Sequence, residues 1–371
     1  MYFSTRSPSE RTLKMARIAA ESGYRVAVVE WDRSGSRLRV EKEGSIEFTR
    51  LPLKSPYGAA AILVLPLWLA YVSVILLRTR FHLVQPKNLD NLLPALLIRR
   101  LRGFKVVYDM ADFYSDTYAS GAPLLRSLAR FLERSLTKAS DAVVLAEPGQ
   151  MRQVGASRPP TNWMTFYNVP FSANPISPGE NGSAVKGGVL SLLYIGTFPR
   201  DRTRALLNLM EAMRALPIQL TIAGFGQDLN AIAQFASSLP NVVFLGKVPS
   251  GEIMPLTEKS DIVVLPYDSR FRNYAGVLGT KIFEAMAAAK PILAQKGTAS
   301  GNLVSEYLLG YLTDFSKTNI LRETLEQIMQ ASRADLELMG RRGRALMDLN
   351  FNPKTIAERY RAVLDRATVS P

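Results

Sequence analysis

Asp261-Ile-Val-Val-Leu-Pro-Tyr267, followed after a polar loop by Gly279-Thr-Lys-Ile-Phe-Glu-Ala-Met-Ala287, is the stretch on which the fold turns. It reads as a buried strand, a loop at the strand's carboxyl end, and a helix opening near Thr280 and stopping at Lys290, since Pro291 cannot continue it. Ligands of open α/β sheets bind at such strand ends. The helix start offers free backbone N–H groups and a positive dipole end to a phosphate. Lys281 in the first turn adds a full charge, and Glu284 one turn on can accept hydrogen bonds from paired sugar hydroxyls.

Outward from this stretch, short β-branched runs alternate with longer helical patterns, the signal of βαβ units and parallel sheets. Expected strands are 25–30, 46–51, 81–85, 105–109 and 142–146, then 190–196, 218–224, 242–246, 261–266 and 291–295. Helical faces recur at Leu206, Leu207, Met210 and Met213, and at Ile356, Tyr360, Val363 and Leu364. Pro, Gly, Ser and Asn crowd residues 171–188, which reads as a linker. The expectation is an α/β chain of two doubly wound domains, 1–170 and 189–350, with a last helix over 351–371.

The chain has 371 residues, no Cys, one His and a net charge of +14. Without Cys there is no thiolate zinc site, iron–sulfur cluster or disulfide framework, and one His excludes a multi-histidine metal centre. A Ser-His-Asp triad would have to use His82, at a strand's start, and no Gly-x-Ser-x-Gly elbow supplies its nucleophile. Gly224-Phe-Gly226 is only a fragment of a dinucleotide fingerprint, because Leu229 stands where the third glycine belongs. Residues 1–11 carry no apolar leader pattern, so a cytoplasmic location is expected.

The positive charge predicts an anionic partner. Half of its excess lies between Lys54 and Lys105, where eight cations, among them Arg78, Arg80, Arg99, Arg100 and Arg102, face Asp90 alone. Inside this region residues 58–77, including Trp68, carry no charge at all. The run is long enough to span a bilayer, but strands on both sides belong to one parallel sheet, so it reads as a crossover helix. Its all-round apolar surface points to shallow insertion into an anionic membrane, with Pro66 kinking or splitting the helix; burial by protein is the alternative. A stripe of Arg126, Arg130, Arg134 and Lys138 opposes Leu125, Leu128, Phe131, Leu132 and Leu136; it reads as a solvated face, with a lipid or polyanion contact as the alternative. Specific nucleic-acid binding is not expected, because the aromatic-plus-basic motifs of single-strand binders are missing.

Several strings together resemble the GT4-like group of GT-B glycosyltransferases over nearly the whole chain. They are Leu192-Leu-Tyr-Ile-Gly196 with Arg202, Leu220-Thr-Ile-Ala-Gly-Phe-Gly226, Val242-Val-Phe-Leu-Gly-Lys-Val248, and the Asp261 strand with Lys281 and Glu284. Asn88 to Leu97, Lys105-Val-Val-Tyr-Asp109 and the hinge-like Asn168-Val-Pro170 add to them. The resemblance implies two Rossmann-like domains facing across a cleft, with a nucleoside-diphosphate-sugar on the second. Arg202 and Lys281 would hold the diphosphate, Glu284 the ribose, and Val248 the base region, with Gly196, Gly224 and Gly226 close by. It also implies metal-independent transfer with retention and no cofactor.

Two departures stand out: Gly276 occupies the place of a family acid, and Ala111 that of a histidine. Asn273, Tyr274 or amides near Gly276 would then contact the sugar, while Asp109 and Asp112 remain as polar candidates in the first domain. The acceptor is expected to be a lipid-linked or other membrane-associated glycan, with the protein peripheral at the inner face of the cell membrane. A catalytically degenerate sugar-nucleotide-binding protein is the alternative.

Overall fold

The computed structural model describes all residues except 6–8, 55–60, 114–122, 157–159, 171–188, 199, 268–277 and 370–371. The expected linker, 171–188, therefore lies outside the described residues, as do Asn273, Tyr274 and Gly276. The chain forms two compact units, one of Met1–Tyr167 with Lys354–Pro371 and one of Asn168–Pro353.

Unit 1 contains strands β1 (Tyr2–Thr5), β2 (Val26–Asp32), β3 (Val40–Glu43), β4 (Ile46–Pro52), β5 (Leu83–Pro86), β6 (Lys105–Met110), β7 (Ala142–Leu145) and β8 (Trp163–Thr165). Helices α1 (Glu10–Glu21), α2 (Ala61–Arg78), α3 (Asn88–Arg102), α4 (Pro123–Lys138) and α5 (Gln150–Val154) connect them. The sheet order is β3-β4-β2-β1-β5-β6-β7-β8, parallel except for β3 against β4. The chain winds away from β1 in one direction through β2 and β4, then in the other through β5 to β8. Crossovers between parallel strands are right-handed, so α2, α3 and α4, which all advance the same way along the sheet, share one face, and α1 takes the opposite face.

Unit 2 contains β9 (Leu190–Thr197), β10 (Ile218–Phe225), β11 (Val242–Gly246), β12 (Ile262–Leu265), β13 (Ile292–Gln295) and β14 (Gly310–Thr313). Its helices are α6 (Arg200–Ala212), α7 (Leu229–Ser237), α8 (Ile253–Lys259), α9 (Thr280–Ala287), α10 (Ala299–Glu306), α11 (Thr318–Met329) and α12 (Arg333–Asn350). The all-parallel order β11-β10-β9-β12-β13-β14 reverses direction at β9 and β12. Every residue of β12 is buried, as a strand covered by helices on both faces requires. A last helix, α13 (Pro353–Val369), returns to unit 1, where Tyr360 donates to Gln85 Oε1 at 2.6 Å and stands edge-on to Phe166.

Three expectations need correction. Helix α9 ends at Ala287, short of Lys290, because Ala289 takes φ +52° and the Lys290 N–H returns to the Ala285 carbonyl. Pro66 does not split α2, which runs unbroken through it. On α4 the basic stripe is not the solvated face: Arg126, Arg130 and Arg134 are half-buried, while Leu128, Phe131 and Leu132 are exposed.

Candidate functional site

A cavity of about 370 Å³ opens in unit 2 at the carboxyl ends of β9, β10 and β12, where the strand order reverses. That is a ligand-sized volume at the place where doubly wound sheets bind ligands. Of the expected donor residues, Gly196, Gly224, Val248 and Lys281 line it, joined by Gly279 and Thr280 at the start of α9. Gly224 has φ +152°, and a Cβ there would stand 1.8 Å from the Gly196 carbonyl oxygen. Only glycine lets β9 and β10 close up at this level.

Gly279 is the N-cap of α9, with extended φ and ψ and no side chain to bond the free N–H groups that follow. Lys281 Nζ lies 2.8 and 3.0 Å from the two Glu284 oxygens, and both side chains are largely buried. The lysine is therefore held at the cavity wall by its own helix. Asn168 Nδ2 donates to Thr280 Oγ1 at 3.3 Å, tying the expected hinge residue to the same helix start.

Arg202 stands in the first turn of α6, just after β9; its side chain lies outside the described residues. Gly226 does not line the cavity but packs on the backbone of Phe198. Among the lining residues to which the sequence reading gave no role are Phe225, half-exposed, and Lys247, whose Nζ lies 5.5 Å from that ring's centroid. The motif strings contained both, but only their glycines and Val248 carried a recognisable role.

In unit 1, Asp109 sits at the end of β6 in a buried ion pair with Arg11 of α1, 2.8 Å apart, with side chains 1% and 7% exposed. Arg11 also donates to the carbonyls of Leu145 and Phe166 and lies over the Phe166 ring. Asp109 Oδ2, Ser4 Oγ and Thr12 Oγ1 are buried without a hydrogen-bond partner among the described residues. Lys87, at the end of β5, donates to Ser9 Oγ at 2.8 Å; burial pushes its ammonium pKa down while Asp109 opposes the shift. Asp112 is exposed, and its N–H donates to Asn88 Oδ1 at 3.3 Å. His82 is exposed just before β5, at the opposite end of the sheet.

From residue 61 on, the apolar run lies in α2, packed by Trp68, Val72 and Leu76, each fully buried at four-residue steps; residues 58–60 lie outside the described residues. Trp68, expected at a membrane, is instead a core residue, stacked on Trp31 and donating to Asn91 Oδ1 at 3.1 Å. Leu63, Leu67, Val74 and Leu77 form an exposed stripe on the same helix. Among the described residues no helix is long and apolar enough to cross a membrane. Of the flanking cations, Arg78, Arg80 and Arg100 are exposed and Arg102 is half-buried, whereas Arg99 is paired with Asp141 at 3.1 Å.

Two family models divide the chain: the glycosyl transferase 4-like domain matches residues 8–168, and glycosyl transferases group 1 matches residues 190–331. No curated protein sequence matches it significantly. Among solved structures, sucrose-phosphate synthase from Thermosynechococcus elongatus superposes with a TM-score of 0.79 at 16% identity, covering 98% of each chain. HepE from Anabaena, in complex with UDP and glucose, gives 0.69 at 15% identity, also covering 98% of each. An α,α-trehalose-phosphate synthase from Burkholderia vietnamiensis gives 0.70 at 10% identity, covering 99% of each. These identities speak for the fold, and the family models speak for the lineage of both halves. The chain belongs to the group 1, GT4-like glycosyl transferases and is a glycosyltransferase of the GT-B type.

Proposed function

We propose that the protein transfers a sugar from a nucleoside-diphosphate-sugar to a lipid-linked or membrane-associated glycan acceptor, with retention and without a metal, at the inner face of the cell membrane. One observation carries the donor reading: the unit 2 cavity is lined together by Gly224, the Gly279–Thr280 helix start and Lys281. Free N–H groups, the dipole of α9 and the lysine charge all favour a diphosphate there, and they stabilise it further as a leaving group. Arg202, in the first turn of α6, is assigned the same role. Glu284 holds Lys281 before the donor arrives and accepts from ribose hydroxyls afterwards. Val248, Gly196 and the backbone around Gly224 bound the nucleoside, while Asn273, Tyr274 and the Gly276 amide are assigned to the sugar. Solved relatives in complex with UDP, UDP-glucose or UDP-2-fluoro glucose support a nucleotide-sugar donor.

On the acceptor side, Asp112 is the acid open to substrate, while Asp109 acts through Arg11 and Lys87 as a positioning residue. The membrane reading rests on the exposed apolar stripe of α2 beside Arg78 and Arg80.

A thermal-shift screen of UDP-, GDP- and ADP-sugars tests the donor reading directly. The correct donor well above its Kd should add roughly 2–4 kcal/mol of apparent stability. Lys281→Ala should weaken that donor at least about tenfold, the loss of one charge-assisted contact. No stabilisation by any donor, or an unchanged Kd in the variant, sinks the assignment. Transfer that persists in EDTA supports metal independence, and transfer lost in EDTA refutes it.

A further inference from the structure

We propose that helix α4 is a second lipid-contacting element, laid on an anionic bilayer beside α3 and α2; this rests on the membrane reading above and extends it to a helix that reading does not use. An amphipathic helix on a sheet normally buries its apolar side. In α4 most of the apolar side faces outward, although Leu136 packs on the core. Glu133 and Thr137 are fully buried, and Arg134 donates to the Gln153 carbonyl at 2.8 Å. Outward instead stand Leu124, Leu128, Phe131 and Leu132, which are 89%, 55%, 66% and 43% exposed. Their spacing puts them on one stripe.

The neighbour repeats the pattern. On α3, Leu93, Leu97 and Leu101 are exposed at four-residue steps, by 42%, 65% and 77%. Helix α2 packs on α3 and α3 on α4, all on one face of the sheet, so the three stripes share one outer surface. A contiguous apolar surface of this kind marks an interaction site.

Charge selects the occupant. Helix α2 has no acid, and the acids of α3 and α4, Asp90 and Glu133, are both buried. The exposed charges on the three helices are Arg78, Arg100 and Lys138, all positive. A second copy docked about a two-fold axis would set this cationic, acid-free surface against itself. An anionic bilayer supplies both the hydrocarbon and the negative charge.

Because the chain has no cysteine, one engineered thiol is a unique reporter. Full-length Phe131→Cys, labelled with an environment-sensitive fluorophore, should shift to the blue on adding phosphatidylcholine–phosphatidylglycerol vesicles and be quenched by a lipid-borne quencher. The same label at Asn302→Cys, exposed in unit 2, should not respond. Leu128→Glu with Phe131→Glu should lower vesicle partition at least about tenfold, since each withdrawn side chain is worth roughly that much. If the label at position 131 stays in water while Leu63→Lys with Leu67→Lys releases the protein, the α4 proposal is overturned and the α2 reading survives. If the parent protein does not bind these vesicles, both fall. A dimer of the parent that Phe131→Glu converts to monomer, without change in vesicle binding, assigns the surface to a second copy and also overturns the proposal.

Discussion

Replacing Arg11 with methionine would leave the Asp109 carboxylate buried and unpaired, a defect that costs about 3–5 kcal/mol. Denaturant midpoints of Arg11→Met should fall accordingly, and adding Asp109→Leu should recover most of the loss, because the pair removed together leaves no unpaired carboxylate. Without that recovery the pair is not what holds α1 to β6. Gly224→Ala tests the other unit: the new methyl would meet the Gly196 carbonyl at 1.8 Å, so we expect at least about 2 kcal/mol of destabilisation and a weakened donor. The sequence singles out Lys281 and Glu284 for separate contacts with a ligand; their meeting with each other follows from a three-residue spacing on one helix. Arg11 and Asp109 are 98 residues apart, and only the folded sheet brings them together.

The strands buried on both sides, such as β12 and β13, were legible as short apolar runs, and their ends moved by a residue or so. Strand β1 was not, although it stands at the centre of its sheet: Tyr-Phe-Ser-Thr is too short and too polar at its end to show a period. The face that α4 presents was illegible for a different reason. Periodicity places residues on a helix but does not say which side meets the sheet. Helix α9 is pinned from outside by α12, where a Cβ on Gly340 would stand 1.9 Å from the Ala289 carbonyl. Gly340→Ala should therefore destabilise unit 2 and, by shifting α9, raise the donor Kd measured by calorimetry; an unchanged Kd would show α9 held by its other contacts. The turn after β2 makes a pH prediction. Asp32 accepts from the Ser34 hydroxyl and from the Ser34 and Arg37 amides, which draws its pKa down to about 2. A depressed carboxylate adds stability above its unfolded pKa of about 4 and loses it as pH falls through the folded value. The deficit of Asp32→Asn in unfolding midpoints should be full near neutrality and shrink below about pH 4.

At the level of the whole molecule, each unit has its own core, and the proposed donor site belongs to unit 2 alone. Hydrogen exchange with a bound donor should gain protection mainly across β9, β10, β12 and α9; equal gains across unit 1 would count against that placement. Unit 1 has a further property, since it is encoded in two pieces with all of unit 2 between them. Helix α13 supplies Tyr360 to Gln85 and Phe166, and Arg361 to Glu21 of α1. A ribosome making the chain releases α13 only after Asn168–Pro353, about 10–40 s after the unit 1 sheet has emerged. During synthesis the nascent unit 1 must wait with part of its core uncovered, so unit 2 is the first to reach its finished form.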